Sequence, residues 1–379
     1  MPNPFVIDAP APADQLIDRE DQLRRLVGLA EGGHNARLSA PRRYGKTTLL
    51  ARLARDVGLL GMRSVYVDLF GVISLSDLAG RVEHAYIDAL KGPLAAWFAG
   101  LRRKWRVRGR AGMPGARVEL ESLPAEEAEE RLGELLDLPR AIHGRTGEKT
   151  VVVLDEFQEV LTASDRADAI IRSCIQHHRQ EASYVFAGSH AGLMAELFGT
   201  RERPLYGQAR QIALGPLPDE PLARYIERGF AETGRSAGPP LDELLGLVQG
   251  HPQRAMLMAH HLWEATPAGA TAGDEQWASA VHAAFAELQE TFERYWERLS
   301  ANERRVLAAV AWGGRWGGGS SLYAKRTLAR FNLSKGTARD VSRELARRGD
   351  LRRGAPGGPY ELVDPLLEAW VASGRRPWL

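Results

Sequence analysis

The feature that most narrows what this chain can fold into is the run Ala40-Pro41-Arg42-Arg43-Tyr44-Gly45-Lys46-Thr47-Thr48-Leu49. It stands between a strand-like stretch at residues 34–39 and a helical period through Leu49, Leu50 and Leu53. Glycine at the mouth of a helix lets several backbone N–H groups converge on one anion, and the helix dipole adds to the attraction. In such a loop Lys46 reaches the outer phosphates of a bound polyphosphate, and the Thr47 hydroxyl is a ligand for Mg²⁺. The usual spacing places a glycine where this chain has Ala40. Alanine tolerates positive φ poorly, so position 40 either takes ordinary angles or carries strain. Pro41 removes a further N–H donor, which leaves more of the contact to Gly45, Lys46 and Thr47.

A second segment completes the pattern. Val151-Val152-Val153-Leu154-Asp155-Glu156 reads as a buried strand ending in two carboxylates, placing Asp155 beside the cation and Glu156 within reach of an attacking water. Together the two segments predict a site for ATP and Mg²⁺, with Lys46, Asp155 and Glu156 as catalytic residues and Thr47 and Asp155 as metal ligands. His177-His178 and His260-His261 are adjacent pairs whose rings leave a helix on different faces, so they predict no metal site.

Further aliphatic runs at residues 64–70, 183–187 and 211–214 alternate with segments long enough for helices, which predicts a parallel sheet covered by helices. One interruption is expected at residues 102–122. There Trp105-Arg106-Val107-Arg108 and Arg117-Val118-Glu119-Leu120 both alternate around a Gly/Pro-rich turn, which reads as a β-hairpin insertion. Beyond Pro216 the pattern is helical. Residues 266–273, rich in Ala, Gly, Thr and Pro, read as a linker, and Phe285, Leu288, Phe292 and Trp296 form one stripe of a long helix. No apolar run approaches the ~18 residues of a membrane helix, and Cys174, the single cysteine, sits among isoleucines as a buried thiol. A cytoplasmic protein without membrane contact is the expectation.

The 50 basic and 48 acidic side chains nearly cancel, so any attraction to nucleic acid has to come from local clustering. Such a cluster exists near the C-terminus. Residues 300–311 and 322–331 read as helices, Ser334 caps a third that runs to Arg348, and residues 351–363 hold Ala355-Pro356-Gly357-Gly358 between two short strands, as a wing would. Lys335, Arg339 and Arg343 recur every four residues on one face of the third helix, and Arg352 and Arg353 lie on the wing. These five predict contact with double-stranded DNA. The rival reading is an internal clamp or a protein-docking module.

The P-loop run, Ile17-Asp18-Arg19-Glu20 before it, the Asp155-Glu156 strand and Ala187-Gly188-Ser189 together resemble the archaeal-type P-loop ATPases, relatives of the AAA+ origin-recognition proteins and of the STAND signal-transduction ATPases. The resemblance implies an α/β fold: a P-loop NTPase parallel sheet with a helical lid subdomain, followed by a winged helix. It places the ATPase core at residues 1–215, the lid at 216–266, a linker and connecting helix at 267–298, and the winged helix-turn-helix at 299–379. It also implies nucleotide contacts from Ile17, Arg19, Pro41, Arg42, Arg43, Tyr44, Gly45, Lys46, Thr47, Thr48 and Pro252. Ser189 or His190 becomes the sensor of the γ-phosphate. Relatives carry Arg after Pro204-Leu205-Tyr206-Gly207 where this chain has Gln208, so either Arg210 substitutes as an arginine finger or there is none. A protein partner or a homo-oligomer fits either reading.

Overall fold

The structure is a computed structural model that describes residues 2–9, 12, 14–110, 123–314, 319–354 and 358–374. Its core is a five-stranded sheet made of β1 (Ala36–Ser39), β2 (Arg63–Asp68), β3 (Thr150–Asp155), β4 (Ala182–Gly188) and β5 (Arg210–Ala213) in the order β2-β3-β4-β1-β5. Every pairing is parallel. Strands β3 and β4 are buried along their whole length, which is why their sequences are mostly apolar. Alternate side chains serve opposite layers. Val151 and Val153 join Leu38 and Val185 against helices α1 (Glu20–Glu31) and α2 (Lys46–Leu59). Val152 and Leu154 join Val67, Tyr184 and Phe186 on the other face. That face is covered by α3 (Leu75–Ala89), α4 (Gly92–Arg110), α5 (Ala125–Leu136), α6 (Leu138–Thr146), α7 (Val160–Ala163), α8 (Ala167–Ile175) and α9 (Ala191–Gly199).

Two expectations in this half are corrected. Residues 102–110 belong to α4 and form no hairpin arm, because Leu94, Phe98, Leu101 and Trp105 keep the helical spacing into the segment whose last residues alternate. The expected turn and second arm, residues 111–122, lie outside the described residues. Cys174 is half-buried, not buried, and its pKa is raised by the burial it does have.

After β5 the chain enters α10 (Asp219–Glu232), α11 (Pro240–Val248) and α12 (Pro252–Ala265), then the long α13 (Asp274–Arg298). Residues 266–273 are no free tether. Ser236 exchanges backbone hydrogen bonds with Ala270 and Ala272, and the Gly269 N–H donates to Gly234, so α13 is bound to the lid. Its stripe packs on the C-terminal unit, where Phe292 and Trp296 meet Trp370 at 5.7 and 6.0 Å. That unit contains α14 (Ala301–Gly313), α15 (Lys325–Arg330), α16 (Lys335–Arg348), the antiparallel β6 (Leu351–Arg353) and β7 (Tyr360–Leu362), and α17 (Pro365–Ala372). This is a winged helix-turn-helix. Ser334 caps α16 by accepting from the Thr337 N–H, while α15 is shorter than the helical pattern of residues 322–331 suggests.

The N-terminal segment also contributes to the lid. Phe5 is fully buried against Phe230 and Tyr225, its carbonyl accepts from His260 Nδ1 at 2.8 Å, and Asn3 donates to the His260 carbonyl. Truncating a buried phenylalanine removes both its transfer energy and its packing, typically about 3–5 kcal/mol. Phe5→Ala is therefore expected to lower the urea midpoint of the lid-containing transition without changing its slope. A midpoint equal to that of wild type would show that the segment contributes nothing to lid stability.

Candidate nucleotide site

The C-terminal ends of β1 and β3 lie one strand apart, separated by β4, so the loop after β1 and the carboxylates after β3 face one another across Gly188 and Ser189. Ala40 resolves the spacing question. It takes ordinary backbone angles, is buried, and donates its N–H to the Gly188 carbonyl at 3.2 Å, which extends the β1–β4 ladder by one residue. The left-handed positions fall later, at Arg43 (φ 67°) and Gly45 (φ 80°). Gly45 caps α2, with Lys46 buried and Thr47 exposed at the first turn.

Lys46 Nζ lies 2.5 Å from Asp155 Oδ1 and 2.6 Å from Glu156 Oε1. Asp155 also accepts from the Tyr66 hydroxyl at 2.6 Å and from the Glu156 N–H at 2.8 Å. Glu156 Oε2 accepts from Ser189 Oγ and Gln158 Nε2, each at 2.6 Å. Burial pushes the Glu156 carboxyl upward, but donation from Lys46, Ser189 and Gln158 outweighs it and holds the group at about 2. Ser189 Oγ reaches His190 Nδ1 as well, at 3.3 Å, so both sensor candidates stand at the same corner.

Tyr44 leaves the loop in another direction. Its ring is buried edge-on to His251, with centroids 4.8 Å apart, and its hydroxyl accepts from Arg352 Nη1 at 3.0 Å and donates to the Val363 carbonyl at 3.4 Å. Pro252 follows His251 at the start of α12. Two residues further, Arg254 forms a forked ion pair with Asp364, the N-cap of α17, with Nε 3.0 and 3.1 Å from the two carboxylate oxygens. The phosphate-loop side thus touches the lid and the winged helix at once.

Other predicted residues are more scattered. Ile17 lines an open cavity of about 610 Å³ with Tyr225 and Pro221, whereas Arg19 is buried and donates to the Gly215 carbonyl at 2.5 Å. Pro41 is half-buried, Arg42 and Arg43 are exposed, and Thr48 is buried inside α2. Arg210 opens β5 opposite Ala36, at the far end of the strands from Gly45, so it does not reach the phosphate side of its own chain. Lys335, Arg339, Arg343 and Arg353 are exposed, but Arg352 turns away from them toward Tyr44 and Glu361. The end of α16 docks on α9, where a Cβ on Gly192 would fall 2.7 Å from Arg347 Cα. Tyr66, Gln158, Arg254 and Asp364 are missing from the sequence-based site. Tyr66 had a signal, since it is the polar member between Val65 and Val67 on a strand leading to the same edge.

The chain belongs to the family described as an ATPase domain predominantly from Archaea, whose model matches residues 16–257. The fold is that of a P-loop NTPase. It is similar to the Walker-type ATPase PABY2304 of Pyrococcus abyssi, with 17% identity over 97% of this chain and 99% of that one and a TM-score of 0.68. It is also similar to Aeropyrum pernix ORC2 in its ADPNP–ADP complexes (15%, 98% and 97%, TM-score 0.57). A third similar structure is Aeropyrum pernix ORC1 in complex with DNA (18%, 95% and 93%, 0.51). No curated protein matches the sequence. Among the described residues no helix is long and apolar enough to cross a membrane.

The burial of His251 has a pH signature. Desolvation lowers its pKa to about 4 from 6.5, so the folded state refuses a proton that the unfolded state accepts. The associated stability is whole above about pH 6.5 and is lost as pH falls toward 4, by about 3 kcal/mol across the window. Glu156 contributes a separate loss only below about 4.5, as pH falls toward 2. His251→Asn, which keeps a capping oxygen at the head of α12, is expected to flatten urea stability between pH 7 and 5 and leave the more acidic loss intact. An unchanged pH dependence in this variant would place the titrating group elsewhere.

Proposed function

We infer that the chain is an ATP-binding and ATP-hydrolysing switch of the AAA+/STAND type, with a winged helix that binds duplex DNA. The observation that carries this is the buried cluster of Lys46, Asp155, Glu156 and Ser189 at the sheet edge, next to a helix N-terminus with its glycine cap. Buried carboxylates around one ammonium are expensive to desolvate unless paired, and a triphosphate is the ligand that would take Lys46 over. Thr47 and Asp155 are the residues that would hold Mg²⁺, since a hydroxyl and a carboxylate are the hard oxygen donors it selects. The ion would supply charge neutralisation of the phosphate oxygens. Glu156 accepts a proton from water as the water oxygen bonds to the γ-phosphorus and the bond to the β–γ bridging oxygen breaks, giving ADP and inorganic phosphate. Ser189, whose hydroxyl donates to Glu156, would follow the γ-phosphate in this reading. Lys46→Ala is expected to abolish ATP binding, and Glu156→Gln to keep binding and stop turnover, both read by nucleotide titration and phosphate release. Retained ATP affinity in Lys46→Ala would refute the loop assignment.

The role of the winged helix rests on charge. Lys335, Arg339 and Arg343 form an exposed basic face on α16, which suits phosphate contacts whose affinity falls with salt. The contact of Arg352 with Tyr44 supports a second element, that the docked wing is a clamp released by a change at the loop. In fluorescence polarisation with duplex DNA at low salt, Arg339→Glu with Arg343→Glu is expected to remove binding. Arg352→Ala is expected to tighten nucleotide-free binding by freeing the wing. Absence of duplex binding in both nucleotide states would overturn the DNA reading and leave the clamp facing a protein partner or a second copy of the chain.

A further inference from the structure

We propose that Gln158 is the positioning residue that keeps Glu156 oriented for water activation once nucleotide has drawn away its other partners. This rests on the ATPase reading above and concerns the same site. Glu156 has three side-chain partners: Lys46 on Oε1, and Ser189 and Gln158 on Oε2. Two of the three are groups that a triphosphate competes for, the lysine through its charge and the serine through its place at the end of β4. Gln158 is the remaining one. It sits in the 3₁₀ turn Phe157–Glu159 that follows Glu156, and it is buried at 4% exposure. The turn is anchored by Phe157, whose ring meets Phe186 at 4.7 Å and Phe198 at 5.8 Å. Glu156 itself has φ 51°, so the carboxylate departs from a left-handed residue whose direction is set by what grips its far end.

Two further features separate this glutamine from one kept for packing. Its Oε1 is buried without a hydrogen-bond partner, an arrangement that native cores rarely retain. The amide is thus oriented by Glu156 at the expense of its own second half. In addition, a Cβ on Gly188 would fall 2.6 Å from that oxygen and 2.6 Å from Met194 Sδ, so glycine at the end of β4 is what leaves room for the amide. The Ala187-Gly188-Ser189 element therefore serves Glu156 twice, through the serine hydroxyl and through the space beside it.

The chemistry of the exchange favours a neutral donor. An ammonium on the carboxylate suppresses its basicity strongly, whereas an amide N–H orients it with a much smaller effect and cannot itself give up the proton. Removal of Lys46 to phosphate with Gln158 left in place would then convert a parked carboxylate into a usable base without loss of direction.

The test uses the full chain with MgATP and compares wild type with Gln158→Met, which keeps length and loses the donor, and Gln158→Glu, which keeps shape and replaces the donor by an acceptor. Removing a general base lowers turnover by about 10²–10⁴-fold, and removing its positioning donor is expected to lower kcat by about 10- to 100-fold. ATP affinity should stay within about threefold of wild type, so that the loss falls on kcat and not on KM. Turnover near that of wild type in Gln158→Met overturns the positioning role. So does a loss of ATP affinity and thermal midpoint in parallel with kcat, which marks a packing residue. Should the methionine variant fail to fold, Gln158→Glu decides on the same criteria. Wild-type protein that binds MgATP and never releases phosphate would instead overturn the hydrolysis reading beneath it.

Discussion

The site is organised around one buried ammonium. Lys46 stands between Asp155 and Glu156, and without it two carboxylates would face each other uncompensated in a largely buried place. The lysine comes from the first turn of α2 and the acids from the end of β3, so the pairing also closes the gap left by β4 between those elements. Tyr66 from β2 and Ser189 from the end of β4 then attach to the same acids. Three of the five strands and the first turn of α2 therefore meet at a single electrostatic point. A polyanion entering that point would compete with both carboxylates for one cation and would alter the partners of groups on each of those strands.

The tyrosine beside that lysine extends the consequence outward. Tyr44 and Lys46 flank Gly45, and at φ 80° that glycine sends the chain from a buried ring to a buried ammonium within two residues. The ring rests on His251 at the head of α12, and the hydroxyl is held by Arg352 and Val363 around β6 and β7. Arg254 and Asp364 tie the same two elements together a few residues away. Because Tyr44 is bonded directly to Gly45, a change in the Gly45 backbone angles would also move the Tyr44 ring. The lid and wing are thus connected to the loop by packing and hydrogen bonds, a connection that requires no moving intermediary between them.

Much of this was legible in the sequence because it depends on local pattern. The sheet could be read from aliphatic runs, the loop from Gly45-Lys46-Thr47, the acids from their place after four apolar residues, and the α16 cap from Ser334. The hairpin expectation failed because a four-residue alternation at Trp105 was weighed above the longer period of Leu94, Phe98 and Leu101. Residues 266–273 do join α12 to α13, but their pairing was not legible. Residues 266–273 have loop composition, but composition does not reveal that their backbone groups pair with Gly234 and Ser236. Arg254, Asp364, Phe5 and the true partners of Tyr44 were illegible in the same sense, since each acts through a partner far away in the chain.

Arg352 is the residue on which the two readings of the winged helix diverge. Its charge places it in the basic excess of residues 325–353, yet its guanidinium is committed to Tyr44 and Glu361, and it is largely buried. A side chain cannot serve the phosphate loop and a duplex phosphate in the same conformation. Lys335, Arg339 and Arg343 face no such choice, but the C-terminal end of their helix is pressed on α9 directly after Ser189 and His190. A duplex approaching α16 would find its last turn already packed against Gly192 of α9. On the DNA reading, the exposed charge would support a weak electrostatic encounter, while full engagement of helix and wing would require the unit to leave the ATPase core. The contacts that hold the wing on the loop are those that would make DNA binding depend on the state of the loop.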